Sequence, residues 1–346
     1  MSTASTSSSA ATLADPLAAL PGRKTDLVPL LVIVAFGLAA MPLIGSSSTW
    51  ITLTVAALAI GMMLFIMASG LTLVFGLMDV MNLGHAAFVA IGAYAATSIV
   101  APINPWLTSE STVQNIAAVV VIALVAMLVT AAVGWVFERL FIRPAQGNHL
   151  KQILITIGAM IILDQLVLVL WGANQMLLPL PASLRGSLLF GDVAIERYRL
   201  IAIGVGALVF AGLVLMLQRS RIGLMIRAGV ENREMVEALG HHVRRLFVAV
   251  FVAGAGLAGL GGTMWGFYRE QFTVSIGAEV LVQILIVVII GGLGSITGCF
   301  AAAILIALST NYVSFLAPDF ALVSNILVMV VILLWRPRGL YPLAAQ

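Results

Sequence analysis

Long apolar runs separated by short polar ones repeat along this chain. No Asp, Glu, Lys or Arg falls between Asp26 and Asp79, between Glu110 and Glu138, or between Glu279 and Asp319. Within these runs apolar residues do not alternate with polar ones, so they do not read as the roughly ten-residue strands of a membrane barrel. They are long enough for helices that cross a bilayer, which takes about 20 residues, and a helix satisfies its own backbone hydrogen bonds in lipid. The pattern predicts apolar helices over 27–44, 51–69, 84–101, 115–137, 152–171, 199–218, 246–267, 280–297, 299–316 and 320–335. The fold class is therefore an all-α polytopic membrane protein of roughly eight to ten transmembrane helices, with residues 27–346 forming one transmembrane domain.

Charge orients the helices. Arg23 and Lys24 precede the first span and favour a cytoplasmic N-terminus, because basic loops stay inside. Ten crossings then return the C-terminus to the cytoplasm, and the loop containing Arg139, Arg143 and Lys151, the 219–245 loop, and Arg336 with Arg338 all fall on that side. Loops 102–114, 172–198 and 269–279, where acids match or outnumber bases, fall outside.

Composition agrees: 62% of residues are hydrophobic and 9% charged, against about 25% charged in a soluble domain. The lone Cys299 excludes an internal disulfide and a cysteine-rich metal site. The net charge of +3 sits in loops and implies no nucleic acid. Residues 1–26 open with a Ser/Thr/Ala tract and are expected to form a disordered cytoplasmic tail.

Two segments break the apolar pattern with glycine and polar residues. One is Gly70–Ala95, G-L-T-L-V-F-G-L-M-D-V-M-N-L-G-H-A-A-F-V-A-I-G-A-Y-A; the other is Gly291–Gly298, G-G-L-G-S-I-T-G. Irregular backbone at membrane depth is tolerated only against protein or a water-filled cavity. One break in each half suggests a duplicated, pseudosymmetric core with a pathway between the halves; the competing reading is close helix packing on small residues. In the first break Asp79, Asn82 and His85 are candidate pathway residues, with Phe75, Met81 and Phe88 as apolar walls. Ionisable groups in a span are costly and functional by default, although Asp164 reads better as a structural partner between helices.

The 219–245 loop is the one place crowded with charge: Arg219, Arg221, Arg227, Arg233, Arg244 and Arg245, with Glu231, Glu234 and Glu237. Asn232 can cap a short helix, Met235, Val236 and Leu239 then share a face, and Gly240 suits the left-handed residue that ends it. So short a helix needs a groove to lie in. A soluble partner offers one; lipid headgroups are the alternative, which three glutamates oppose. The chain lacks G-x-x-x-x-G-K-[ST], H-E-x-x-H and G-x-S-x-G, so no nucleotide-hydrolysing, zinc-protease or serine-hydrolase motif is present.

The motifs G-L-T-L-V-F-G at 70–76, M-N-L-G-H-A-A-F at 81–88, I-G-A-Y at 91–94, R-I-G-L-M-I-R-A at 221–228, E-N-R-E-M-V-E-A-L-G at 231–240, G-G-L-G-S-I-T-G at 291–298 and R-P-R-G-L at 336–340 together resemble the LivH-type permeases of branched-chain amino acid ABC importers. The order matches from about residue 28 onwards. The segment Leu83-Gly84-His85-Ala86 departs from the usual Phe-Ala-His-Gly and leans towards the sister LivM type. The resemblance implies a bacterial inner-membrane permease that is not itself an enzyme. Its implied partners are a second LivM-type permease, two cytoplasmic ATPases carrying ATP and magnesium, and a periplasmic binding protein. It also implies that Glu237–Gly240 belongs to the loop that contacts the ATPase, with Arg227, Glu231, Asn232, Met235 and Val236 around it. Related systems carry urea, amides or small organic acids. An ion-coupled secondary transporter using Asp79 or Asp164 is the rival class, but it gives the 219–245 loop no role.

Overall fold

The computed structural model describes residues 27–80, 82–231, 233–240 and 242–341; the expected disordered tail, residues 1–26, lies outside them. Twelve helices follow in order: α1 (Val28–Ile44), α2 (Ser47–Met78), α3 (His85–Leu107), α4 (Thr112–Phe137), α5 (His149–Trp171), α6 (Arg197–Arg219), α7 (Arg221–Glu231), α8 (Arg233–Ala238), α9 (Val243–Arg269), α10 (Ile276–Gly291), α11 (Ile296–Leu316) and α12 (Ala321–Trp335). Seven helices are long and apolar enough to cross a membrane, and Val28–Ile44, Ile276–Gly291 and Val323–Trp335 are shorter apolar helices. Each expected apolar segment is thus a helix. The differences lie at the ends: α2 runs nine residues beyond its expected end, straight through Gly70 and Gly76, and α4 continues into a π turn at Glu138–Ile142 and a tight turn at Arg143–Ala145.

The connection between α5 and α6, expected as a plain loop, carries strands β1 (Met176–Leu177), β2 (Ser187–Phe190) and β3 (Val193–Glu196). β2 and β3 form an antiparallel hairpin. β1 pairs with β4 (Gln271–Phe272), which follows α9, so this loop is tied to the chain segment between α9 and α10.

Two four-helix units, α2–α5 and α9–α12, make the core with matching contacts. α4 packs on α9 as α11 packs on α2, α3 lies against α4 as α10 lies against α11, and α5 touches α3 as α12 touches α10. Because four apolar helices, α3 to α6, lie between α2 and α9 in the chain, the two units run in opposite senses across the bundle: an inverted repeat of the kind found in transporters. The central pair, α2 and α9, cross where glycine meets glycine. A Cβ added to Gly70 would sit 2.3 Å from the Gly254 carbonyl oxygen. In lipid, where oil-on-oil burial gives little association, such backbone approach is what van der Waals packing has to work with. Gly70, a candidate break in the sequence, is therefore a contact inside a continuous helix.

Candidate functional site

The interruption between α2 and α3 occupies only Asp79–Gly84. Asp79 closes α2 in a left-handed conformation, φ 50°, its N–H bonded to the Phe75 carbonyl at 2.9 Å. The chain then climbs along the first turns of α5. At the foot, Asp79 Oδ2 lies 3.5 Å from His149 Nε2, both side chains exposed. Further up, Leu83 N–H donates to Thr156 Oγ1 at 3.3 Å. At the top, His85 Nε2 meets the Met67 carbonyl at 2.9 Å, so Nε2 carries the proton. Met67 lies three turns before the end of α2, about 16 Å along a helix that rises 1.5 Å per residue. Helix α3 therefore starts well inside the bundle, where the Asn82 carbonyl accepts its first N–H, from His85 at 3.3 Å.

Asn82 is 1% exposed, and neither its Oδ1 nor its Nδ2 has a hydrogen-bond partner. Gly84 fixes which way this amide faces: a Cβ there would meet Phe137 Cζ at 2.8 Å and Asn82 Oδ1 and the Thr156 carbonyl oxygen at 3.1 Å. The amide thus faces α4 and α5, where Gln152, also buried, has an unpartnered Oε1. Buried polar groups are paired in the great majority of cases, and an orphan costs about 1–3 kcal/mol. Two such side chains thus lie on neighbouring elements, α5 and the connection that leads into α3.

The other expected pathway residues separate into different roles. His85 is an anchor, bonded to α2 and edge-on to Phe88 at 6.1 Å. Phe88 is fully buried and joins Phe137 and Phe251 in an aromatic cluster, with centroids 5.1 and 6.0 Å from it. Phe75 is half-buried near the end of α2. Asp79 is exposed at the foot of the interruption, beside His149. Met81 lies outside the described residues. Gln152 and Thr156 were not singled out in the sequence, although their spacing of four on α5 sets them on one face.

The Gly-rich segment 291–298 does interrupt the helices, as the tight turn Gly292–Ser295 between α10 and α11. It packs against the end of α2, where a Cβ on Gly76 would lie 2.3 Å from Gly294 Cα. The C-terminal residues cover it: Leu340 N–H bonds the Ile290 carbonyl at 2.8 Å, and Tyr341 N–H that of Gly291 at 3.2 Å. The counterpart of Asp79–Gly84 in the repeat is instead Glu270–Ser275. Glu270 closes α9 with φ 56°, and the Thr273 carbonyl accepts the Ile276 N–H at 3.1 Å, as Asn82 does for His85. The beginnings of α3 and α10 meet: a Cβ on Gly277 would stand 2.4 Å from the Ala86 carbonyl oxygen.

At the end of the bundle reached by α6 and left by α9, the charged loop folds as two helices. The sequence anticipated one, over 232–240. Helix α7 arises because Gly223 lets the chain turn back on α6: a Cβ there would fall 2.1 Å from the Leu217 carbonyl oxygen. Ser220 Oγ accepts the Gly223 N–H at 3.1 Å to start it. In α8 the expected apolar face splits. Val236 is buried with Val243 and Phe247, whereas Met235 and Leu239 are 61% and 72% exposed. Gly240 takes φ 84°, as its role at the helix end requires, and Glu237 is exposed. Asn232 lies outside the described residues, as do the side chains of Arg227 and Glu231.

A multi-pass helical bundle with an inverted repeat and interrupted helices at its centre is the architecture of a membrane transport protein. The family model of the branched-chain amino acid transport system permease component matches residues 53–335, and the chain belongs to that family. The chain is 27% identical over 291 residues to the high-affinity branched-chain amino acid transport system permease protein BraD of Pseudomonas aeruginosa, covering 82% of this chain and 92% of the relative. It is 25% identical over 288 residues to the permease protein LivH of Escherichia coli strain K12, covering 80% and 90%. It is 28% identical over 354 residues to the permease protein LivM of the same organism, covering 93% and 75%. No solved structure matches the chain. The protein is a multi-pass membrane permease component.

Proposed function

We propose that this chain is one membrane-spanning half of an ATP-driven importer in a bacterial inner membrane and that it carries branched-chain or chemically similar small amino acids towards the cytoplasm. The substrate class rests on the family and on the names of its relatives; the pathway rests on the chain's own geometry. The observation that carries it is the unpartnered amide of Asn82, buried against α4 and α5 where α3 begins. The amide oxygen and nitrogen offer an acceptor and a donor to a zwitterionic head group, and the first turn of α3 adds the positive end of a helix dipole. The surroundings are apolar, including the packed Phe88–Phe137–Phe251 cluster, which suits the side chain of leucine, isoleucine or valine. Loose contacts suit a carrier, since a substrate held tightly would not leave.

The motor belongs to partner subunits. The exposed Met235 and Leu239 beside Glu237 give α8 a mixed apolar and charged surface, which suits a groove on a cytoplasmic ATPase carrying ATP and magnesium. A LivM-type second permease and a periplasmic binding protein complete the assembly. In this reading α8, the N-terminus and the C-terminus face the cytoplasm.

Uptake measurements test the reading. Branched-chain amino acid uptake should require ATP hydrolysis by the partners and persist when proton and sodium gradients are collapsed. In a Cys299→Ala background, an impermeant thiol reagent added to intact cells should label a cysteine at Asp192 and spare one at Met235. Uptake that dies with the ion gradients while ATP is maintained would favour an ion-coupled carrier instead.

A further inference from the structure

A cavity of about 750 Å³ opens at the end of the bundle opposite α8, between the start of α6, the end of α9 and the β2–β3 hairpin. Its charged lining consists of Arg185, Arg199, Arg269, Glu196 and Glu270, and Tyr268 lies among them. Not all of these three cations and two acids are paired. Two cations are. Arg199 holds Glu196 with two hydrogen bonds, Nη2 to Oε1 at 2.7 Å and Nε to Oε2 at 3.1 Å. Arg269 Nη2 reaches Glu279 Oε2 at 3.4 Å, and that carboxylate also accepts from Ser275 at 2.6 Å. Among the described residues, no ion pair engages the side chains of Arg185 and Glu270. One free guanidinium and one free carboxylate thus line a single cavity.

We infer that this cavity is a receiving vestibule for a zwitterionic amino acid, Arg185 taking its carboxylate and Glu270 its ammonium group; the substrate class rests on the function proposed above. A simple anion would leave Glu270 opposed to it, and a simple cation would leave Arg185 so. A ligand bearing both charges answers both groups. Leu180, Leu184 and the Tyr268 ring supply apolar lining for its side chain. The volume lies within the range of small-molecule sites, about 300–1,000 Å³, and exceeds what one leucine-sized molecule fills, which fits passage better than tight capture. Its position adds direction. Glu270 is the first residue of the interruption that leads down to the start of α10 beside Ala86, in the interior region where α3 also begins.

The test uses proteoliposomes of the complete importer, with leucine-loaded binding protein titrated from outside. In Arg185→Gln and in Glu270→Gln the maximal uptake rate should fall about fivefold or more, the binding-protein concentration at half-maximal rate should stay unchanged, and Arg185→Lys should recover most of the rate. Arg185 lies in a surface loop, so its variants decide the matter even if Glu270→Gln fails to assemble. Unchanged rates in Arg185→Gln would overturn the inference. So would an unchanged maximum with a raised half-saturating concentration, which would make Arg185 a docking contact for the binding protein. Wild-type liposomes that move no branched-chain amino acid would instead overturn the proposed function, and this inference with it.

Discussion

Asp79 and Glu270 occupy the same backbone position in the two opposed halves of the bundle. Among the described residues they are the two non-glycine residues with positive φ, 50° and 56°. Each ends a long central helix, each bonds back to the carbonyl four residues earlier, at 2.9 and 2.8 Å, and each is followed six residues later by the first residue of the next helix. A left-handed non-glycine residue costs about 1–2 kcal/mol. Paying that cost at both equivalent places ties the geometry to the two interruptions.

Substitution with a β-branched residue should expose this strain. Asp79→Val and Glu270→Val should each lower the thermal stability of the purified protein in detergent, by an amount equivalent to about 1–3 kcal/mol. Asp79→Gly and Glu270→Gly should be neutral or stabilising. A calorimetric or fluorescence melting series checks both pairs, and insensitivity of either site to valine would separate the two connections.

Close approach on α2 should be equally selective. Gly70→Val puts side-chain atoms where the Gly254 carbonyl stands, and neither backbone can yield, so the variant should lose monodispersity on gel filtration. Nothing lies within 4 Å of a Cβ added to Gly158 or Gly212, and alanine there should leave the elution profile and melting temperature unchanged. Overpacking of a tight contact costs about 1–3 kcal/mol.

The number of apolar helices was legible in the sequence because spans of about 20 residues advertise themselves without tertiary context. So was Gly240, whose place just past a short periodic stretch fixes its left-handed conformation. The interruptions were legible only in part. Gly70 and Gly76 resemble helix breakers on paper, but both serve contacts between elements far apart in sequence, and such contacts leave no local signal. Glu270–Ser275 carries no glycine or apolar run to mark it, so its likeness to Asp79–Gly84 emerged only from backbone geometry. The split of α8 into buried Val236 and exposed Met235 and Leu239 also depends on how α9 packs behind it. Gln152 was hidden by its neighbours: one amide near a span end reads as a boundary residue until the chain climbing beside it is seen.

The exposed side of α8 should respond to charge while its buried side responds as core. Leu239→Asp and Glu237→Arg should leave the permease inserted and folded but reduce recovery of the ATPase subunits in affinity purification at least severalfold. Gly240→Val should do the same by displacing the helix end. Val236→Asp buries a charge against Val243 and Phe247 and should destabilise the permease itself. Full ATPase recovery with Leu239→Asp and Glu237→Arg would remove α8 from the docking surface.

Asn82 gives the sharpest separation of fold from transport. Its amide makes no hydrogen bond, so leucine, similar in size, should cost the fold nothing and can raise the melting temperature by relieving an orphan polar group. His85→Leu removes the bond to Met67 and should lower it. The decisive measurement is leucine uptake by the assembled importer carrying Asn82→Leu, at matched membrane levels and with the binding protein saturating. Uptake should fall about tenfold, the loss of one polar contact of about 1.4 kcal/mol, while melting temperature and subunit recovery hold or rise. Wild-type uptake in that variant would contradict a substrate path past Asn82.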